Sequence, residues 1–336
     1  MSRITFYELL AVCGEKLAKK DARMRNAIIS EEKLVITIRY LATGCSLAEL
    51  HYNFRIGRSI ASNIIQEICE AIWIELADKV IPQCSTEKWI EIAKGFQTCA
   101  QFPNCVGAID GKHIWTKQPP NSGSMYYNYK QYYSTVLFAM CDANYCFSYI
   151  EVGLYVKSSD AGIFTNCKLY ERLVDGTLGV PAPCAIDETN EKYPFIIVGD
   201  ETFPLSENLL RHFGGKQLTP LKETFNARLT RARRYIECCF GILANKWRIF
   251  HRPIDLDIDV TVTVVKAACV LHNFIRTRDG NRWNDEKLDE NINLEGLAPD
   301  TTHRGNPLAL SARDKYGQYF VEQKTVKIIK IANKKC

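Results

Sequence analysis

Apolar and polar positions along this chain follow two different periods, and the change falls near residue 100. Before it the spacing is helical. Leu34, Ile36, Ile38 and Leu41 supply apolar surface to a helix that Ser30 can cap, with Glu31 and Glu32 in its first turn and Gly44 at its end. Ser46 and Glu49 form a capping-box pair that opens a second, short helix. A turn containing Gly57 follows. Ile60, Ile64, Ile68 and Ile72 then recur every fourth residue, which predicts a longer helix from about Ser59. Short helix, tight turn and longer helix make helix-turn-helix spacing. Arg58, Ser59 and Asn63 occupy the first turns of the longer helix, from which such a motif would touch DNA. Packing within a small helical bundle uses the same spacing.

Beyond Pro103 the pattern turns to short β-prone runs: Val106 to Ile109, Ser134 to Cys141 and Phe147 to Val152. Asp142-Ala-Asn lies between the last two and predicts a hairpin. A helix over Ala161 to Val174 and a strand over Phe195 to Val198 come next. Helices are then expected over Leu205 to Arg211, Thr219 to Trp247 and Val260 to Arg276. This order predicts an α/β fold with a mixed sheet and flanking helices. The stretch from Thr277 to Asp300 reads as a loose polar connection, and a β-prone patch spans Thr325 to Ile331. The expected division is a helical region over 1–98 with its helix-turn-helix at about 30–75, an α/β domain over 99–277, and a C-terminal extension over 278–336.

Composition changes this picture little. The 336 residues are 46% hydrophobic and 24% charged, which suits a globular chain with a large core. A net charge of +5 permits nucleic-acid binding where Lys and Arg cluster, and they do so at 16–25, 228–234 and 324–335. None of the 14 cysteines has C-x-x-C spacing, so reduced core thiols are expected and a structural zinc site is not. The start of the chain lacks a secretory pattern, and no apolar run approaches a membrane span.

Three acids carry the candidate chemistry. Asp110 closes the apolar run from Cys105, Asp200 closes the run from Phe195, and Glu237 lies within a basic amphipathic helix. Strand ends in α/β sheets are where ligands bind, although Asp110-Gly111 also reads as a plain turn. Two carboxylates a few ångströms apart repel unless a cation joins them, and oxygen ligands suit Mg²⁺ or Mn²⁺. Glu237 lies beside the apolar face made by Leu229, Ala232, Ile236, Phe240, Leu243 and Trp247, where pairing with Arg233 or Arg234 is its simplest use. Asp160 reads first as a helix cap and is a second-rank metal ligand. Lys112, Lys130 in its tyrosine-rich loop, and Arg231 and Arg234 on the basic helix are candidate phosphate contacts. His272-Asn273 reads as a satisfied buried pair. Phosphate-loop, dinucleotide, nucleophile-elbow and H-E-x-x-H motifs are all missing from the sequence.

From Ser30 to Arg276 the chain resembles the transposases of PIF/Harbinger DNA transposons and the host nucleases derived from them. The resemblance rests on Gly107-Ala-Ile-Asp-Gly, Tyr127-Asn-Tyr-Lys-Gln-Tyr-Tyr-Ser, Val198-Gly-Asp-Glu-Thr-Phe-Pro-Leu, the run from Asn226 to Glu237 with Phe240-Gly-Ile-Leu, and Leu271-His-Asn-Phe. It implies an RNase H-like fold whose acidic triad falls on Asp110, Asp200 and Glu237. It further implies two divalent ions, cleavage of DNA, a Myb-like partner protein and a place in the nucleus, with the cytoplasm as a second compartment and an oligomer left open. Lys157-Ser-Ser-Asp departs from the family's glycine-rich turn and His-Asp near this position.

Overall fold

The computed structural model describes residues 1–17, 27–154, 160–186, 190–215, 217–280, 294–296, 305 and 307–332. Five helices come first: α1 (Arg3–Leu17), α2 (Ser30–Thr43), α3 (Leu47–Phe54), α4 (Arg58–Val80) and α5 (Thr86–Cys99). The capping box of α3 is formed as its sequence requires, with Ser46 accepting from the Glu49 amide and Glu49 reaching back to the Ser46 amide. Gly44 ends α2 in the left-handed conformation, where an added Cβ would lie 2.7 Å from the Arg248 carbonyl oxygen. Ser30 is not the cap of α2. Ile29 holds that position, and the Ser30 hydroxyl donates to Gly14 O at 3.2 Å, tying α2 to α1.

Three antiparallel strands follow: β1 (Cys105–Trp115), β2 (Ser134–Cys141) and β3 (Phe147–Leu154). Asp142 makes the hairpin between the last two by accepting from the amides of Asn144 at 2.8 Å and Cys146 at 2.9 Å. The expected helix over 161–174 is two helices, α6 (Asp160–Thr165) and α7 (Lys168–Val174), because the Cys167 thiol sulfur caps a fresh start by accepting from the Tyr170 amide. A small ribbon of β4 (Cys184–Ala185) and β5 (Lys192–Tyr193) stands apart from the main sheet. Two parallel strands, β6 (Ile196–Val198) and β7 (Leu209–Leu210), complete the order β3-β2-β1-β6-β7, and β8 (Glu295–Gly296) pairs with β1 at Lys112 and His113.

The expected helix over Leu205 to Arg211 is therefore a turn and a strand. Leu209 and Leu210 are drawn into the ladder by Ile197 and Val198, and Asn208 donates to Phe195 O at 2.9 Å. Tertiary pairing overrides the local preference. Helices α8 (Pro220–Lys246), α9 (Ile258–Asp279) and α10 (Pro307–Ala332) pack around the sheet, and a short 3₁₀ turn spans Arg248–His251. The β-prone patch over Thr325 to Ile331 continues α10 instead. That helix is anchored earlier, where Tyr316 and Phe320 join Phe102 and Phe225 in a buried aromatic cluster. Helix α9 has the length and apolarity of a membrane span, contrary to expectation, but 67% of its most apolar window is buried in this fold against α4 and the sheet. A mixed sheet of this order, with helices around it and a helical region before it, is an RNase H-like core.

Candidate active site

Alternate residues of a strand face opposite sides of a sheet, so Ala108, Asp110 and Lys112 share one face of β1. That face belongs to α8, because Lys112 Nζ lies 5.7 Å from the centre of the Phe240 ring. Parallel pairing puts Ala108 beside Val198 and Val198 beside Leu210. Two residues further along each of the three chains stand Asp110, Asp200 and His212. Asp110 lies in the middle of β1, two residues past its last pair with β6, while Asp200 and His212 each lie two residues beyond the end of their own strand. His212 confirms the face independently, since its Nε2 lies 2.9 Å from the hydroxyl of Thr230 on α8. Gly199 makes the approach to Asp200 feasible: an added Cβ there would lie 2.9 Å from Phe203 and 3.3 Å from Ile109.

Each polar group in this row has a resident partner. Asp110 is only 5% exposed; its Oδ1 accepts from the Gly111 amide at 2.8 Å and its Oδ2 is 2.8 Å from Lys112 Nζ. Asp200, half-buried, accepts from the amide of Thr202 at 2.9 Å and from its hydroxyl. Glu237 projects from α8 with its side chain 48% exposed and pairs with Arg233 Nη2 at 3.1 Å. Arg233 also carries a buried Nε that finds no partner among the described residues. Burial, and then the Arg233 charge, push the His212 imidazole down to about 4, so it is neutral at physiological pH.

Asp110 and Asp200 thus follow paired positions on the adjacent strands β1 and β6, while Glu237 lies on α8 and is paired with Arg233. Among the described residues no three His, Cys, Asp or Glu side chains are grouped as a metal cage. The carboxylate oxygens of Asp110 and Asp200 are of the hard type that a divalent cation takes, and the buried Asp110 is paired in this structure with the Lys112 ammonium. Asp160 begins α6, and its side chain lies outside the described residues.

Among the expected DNA contacts, Arg58, Ser59 and Asn63 form an exposed strip at the start of α4. Arg234 is exposed on α8, and Arg231 beside it donates to Gln101 at 2.9 Å. Lys130 is exposed over the Tyr129 ring, on a loop organised by buried Asn128, which accepts from the amides of Lys130 and Tyr132. The basic clusters at 16–25 and 324–335 have their side chains outside the described residues. His212 was not singled out by sequence reasoning, whereas Arg233 was named there as the simplest partner of Glu237. Counting two residues past an apolar strand finds Asp200 and would have found His212, had the Leu209–Leu210 strand been apparent.

Comparison with known proteins agrees with this architecture. The model of the DDE superfamily endonuclease family matches residues 109–273, from the residue before Asp110 to Asn273. An ALP1-like protein of Arabidopsis thaliana is 24% identical over 298 residues, covering 86% of this chain and 72% of that protein. The antagonist of like heterochromatin protein 1, also from Arabidopsis thaliana, is 25% identical over 287 residues, covering 82% and 70%. HARBI1 of Rattus norvegicus, a protein named as a nuclease, is 21% identical over 281 residues, covering 82% and 76%. No solved structure matches the chain. The matched span of the DDE superfamily endonuclease model encloses Asp110, Asp200 and the basic helix, and over most of its length the chain is similar to these three proteins.

Proposed function

We propose that this protein is a divalent-metal-dependent DNA endonuclease of the DDE type. The observation that carries the reading is that Asp110 and Asp200 each follow by two residues the paired positions Ala108 and Val198 of adjacent parallel strands, with Lys112 on the Asp110 face lying beside Phe240 of the basic helix α8. Asp110 and Asp200 would hold one or two Mg²⁺ or Mn²⁺ ions, with Glu237 completing the set once it leaves Arg233, and with Asp160 as a further ligand candidate. Such ions activate a water for attack on phosphorus and stabilise the departing 3′ oxygen. The protein's own share is to orient those carboxylates and to grip the DNA backbone. Lys112, Lys130, Arg231, Arg233 and Arg234 supply the positive charge for phosphate contacts. Arg58, Ser59 and Asn63 would engage DNA separately, through the helix-turn-helix. A Myb-like partner and a nuclear location accompany this reading.

A second reading has one observation behind it. Glu237 is engaged by Arg233, so a relative that binds DNA without cutting it would also present this arrangement. Incubation of supercoiled plasmid with Mn²⁺, against an EDTA control, separates the two. Nicking or linearisation that Asp110→Asn abolishes while DNA retention is unchanged supports the nuclease. Retained DNA binding with no metal-dependent cleavage by the wild-type chain leaves the binding protein.

A further inference from the structure

Lys112 lies two residues beyond Asp110 on the same face of β1, and its ammonium is 2.8 Å from Asp110 Oδ2. Both side chains are largely removed from water, at 14% and 7% exposure. The lysine stem is closed in by the Phe240 ring, which also faces the ammonium at 5.7 Å. The other oxygen of Asp110 is taken by the Gly111 amide. A pair this sheltered is screened little by salt, and separating it leaves a charge stranded in a poorly solvated place. Asp110 can therefore accept a divalent cation only after Lys112 lets go, and Lys112 will let go readily only where another anion replaces the carboxylate.

We propose that Lys112 is a positioning residue that couples DNA binding to metal binding at this site. In the free protein it stands in for the cation and lowers the affinity of the carboxylates for a divalent metal. When DNA arrives, a backbone phosphate takes up the ammonium and Asp110 is released to its metal-holding role. Arg233 repeats the device at Glu237 on the opposite wall, with a more exposed and weaker pair. The enzyme would thus assemble its full acidic set only on a nucleic-acid backbone, which would keep the loaded centre away from free phosphate esters. This inference rests on Asp110 being a metal ligand.

The test is a Mn²⁺ titration of the full chain followed by electron paramagnetic resonance, with and without a short mixed-sequence DNA duplex. Wild-type protein is expected to bind Mn²⁺ more tightly with the duplex present, by at least about fivefold, the lower end of ordinary site-to-site coupling. Lys112→Met is expected to raise Mn²⁺ affinity in the absence of DNA and to shrink the enhancement that the duplex produces. Lys112→Arg, which keeps the charge, is expected to retain the enhancement and guards against a folding defect in the methionine variant. If Asp110→Asn abolishes Mn²⁺ binding but Lys112→Met binds Mn²⁺ no better than wild type, the coupling role is overturned while the metal site stands. If Asp110→Asn leaves Mn²⁺ binding intact, the metal assignment fails and the coupling falls with it. No gain in wild-type Mn²⁺ affinity on adding the duplex also overturns the proposal.

Discussion

Helix α8 touches two polar clusters of opposite character. Toward the β2–β3 hairpin, Asn273 has every amide atom engaged: it accepts from Phe147 N at 2.8 Å and donates to Phe147 O at 2.8 Å and Val80 O at 2.9 Å. His272 beside it donates to Tyr145 O at 2.7 Å, with the Cys239 sulfur of α8 at 3.8 Å. On the α8 side of the sheet, Asp110 is held by Lys112, Asp200 by Thr202, and Glu237 by an Arg233 whose buried Nε has no partner among the described residues. The first cluster is neutral and locks elements together. The second concentrates charge that the fold does not need. A buried polar group whose bonds join separate elements is a structural fastening, whereas acids whose partners lie within a few residues of them along the chain tie no elements together and are open to another role.

The widest gap between the clusters should appear with Asn273→Ala. Removing its amide strands a buried N–H and two carbonyls that join β3 to α4 and α9, at about 4 kcal/mol for the three groups together. Chemical denaturation should show that loss, while the fraction that remains folded cleaves DNA at the wild-type rate. A variant that is fully stable but inactive would reverse the roles assigned to the two clusters.

At the acids the prediction for activity is inverted. Asp110→Asn keeps the side-chain shape and its bond to the Gly111 amide but strands the sheltered Lys112 ammonium, so stability should fall by about 3 kcal/mol and cleavage is compared on the folded fraction. Metal-dependent cleavage should fall at least about a hundredfold, or roughly 2.7 kcal/mol in the barrier. Single-turnover assays in Mn²⁺ at saturating protein read this directly, and a drop below tenfold would move the chemistry away from Asp110.

The difference between the clusters also explains what could be read without a structure. Helices α2, α3 and α4 follow from local signals, because Gly44, the Ser46–Glu49 box and the four-residue isoleucine spacing act within a turn of themselves. The hairpin followed from Asp142, and the satisfied, buried role of Asn273 from its place in an apolar helix, while His272 beside it keeps a buried Nδ1 without a partner among the described residues. Strand β7 was not legible, since two leucines become a strand only by pairing with Ile197 and Val198, and His212 was lost with it. The helical course of Thr325 to Ile331 was hidden in the same way, because its helix is set by Tyr316 and Phe320 docking on residues some two hundred positions earlier. Of the acids, the two aspartates were visible as the polar close of apolar runs. The Glu237–Arg233 pair was visible too, because an i, i+4 contact is local.

Acid should separate the clusters next. Burial pushes His272 down to about 3, so it is neutral in the folded protein at every pH above that. In the unfolded chain it titrates near its ordinary value of about 6.5. Between those values the unfolded state binds the extra proton, so this contribution to stability is intact above pH 6.5 and is lost as pH falls, by about 2 kcal/mol at pH 5. His113, buried beside Lys112 and Lys130 and pushed down to about 4, acts in the same direction. Urea titrations across this range should slope downward toward acid, and His272→Gln should flatten the slope. An unchanged slope in that variant would mean that the imidazole is not held neutral.

The smallest effect on stability is expected at Glu237, and it is the most discriminating. Its ion pair with Arg233 spans one helical turn with the carboxylate 48% exposed, a setting worth a few tenths of a kcal/mol. Glu237→Gln should therefore leave the unfolding midpoint within about 0.5 kcal/mol of wild type, the scatter of ordinary surface substitutions. If Glu237 completes the metal-holding set, the same substitution should abolish cleavage as fully as Asp110→Asn does. A stable variant without activity would put Glu237 in the site despite the partner it keeps in this structure. A stable variant with full activity would reduce it to a helix-surface ion pair, and the acidic set would then have to be completed from elsewhere, with Asp160 the first residue to substitute.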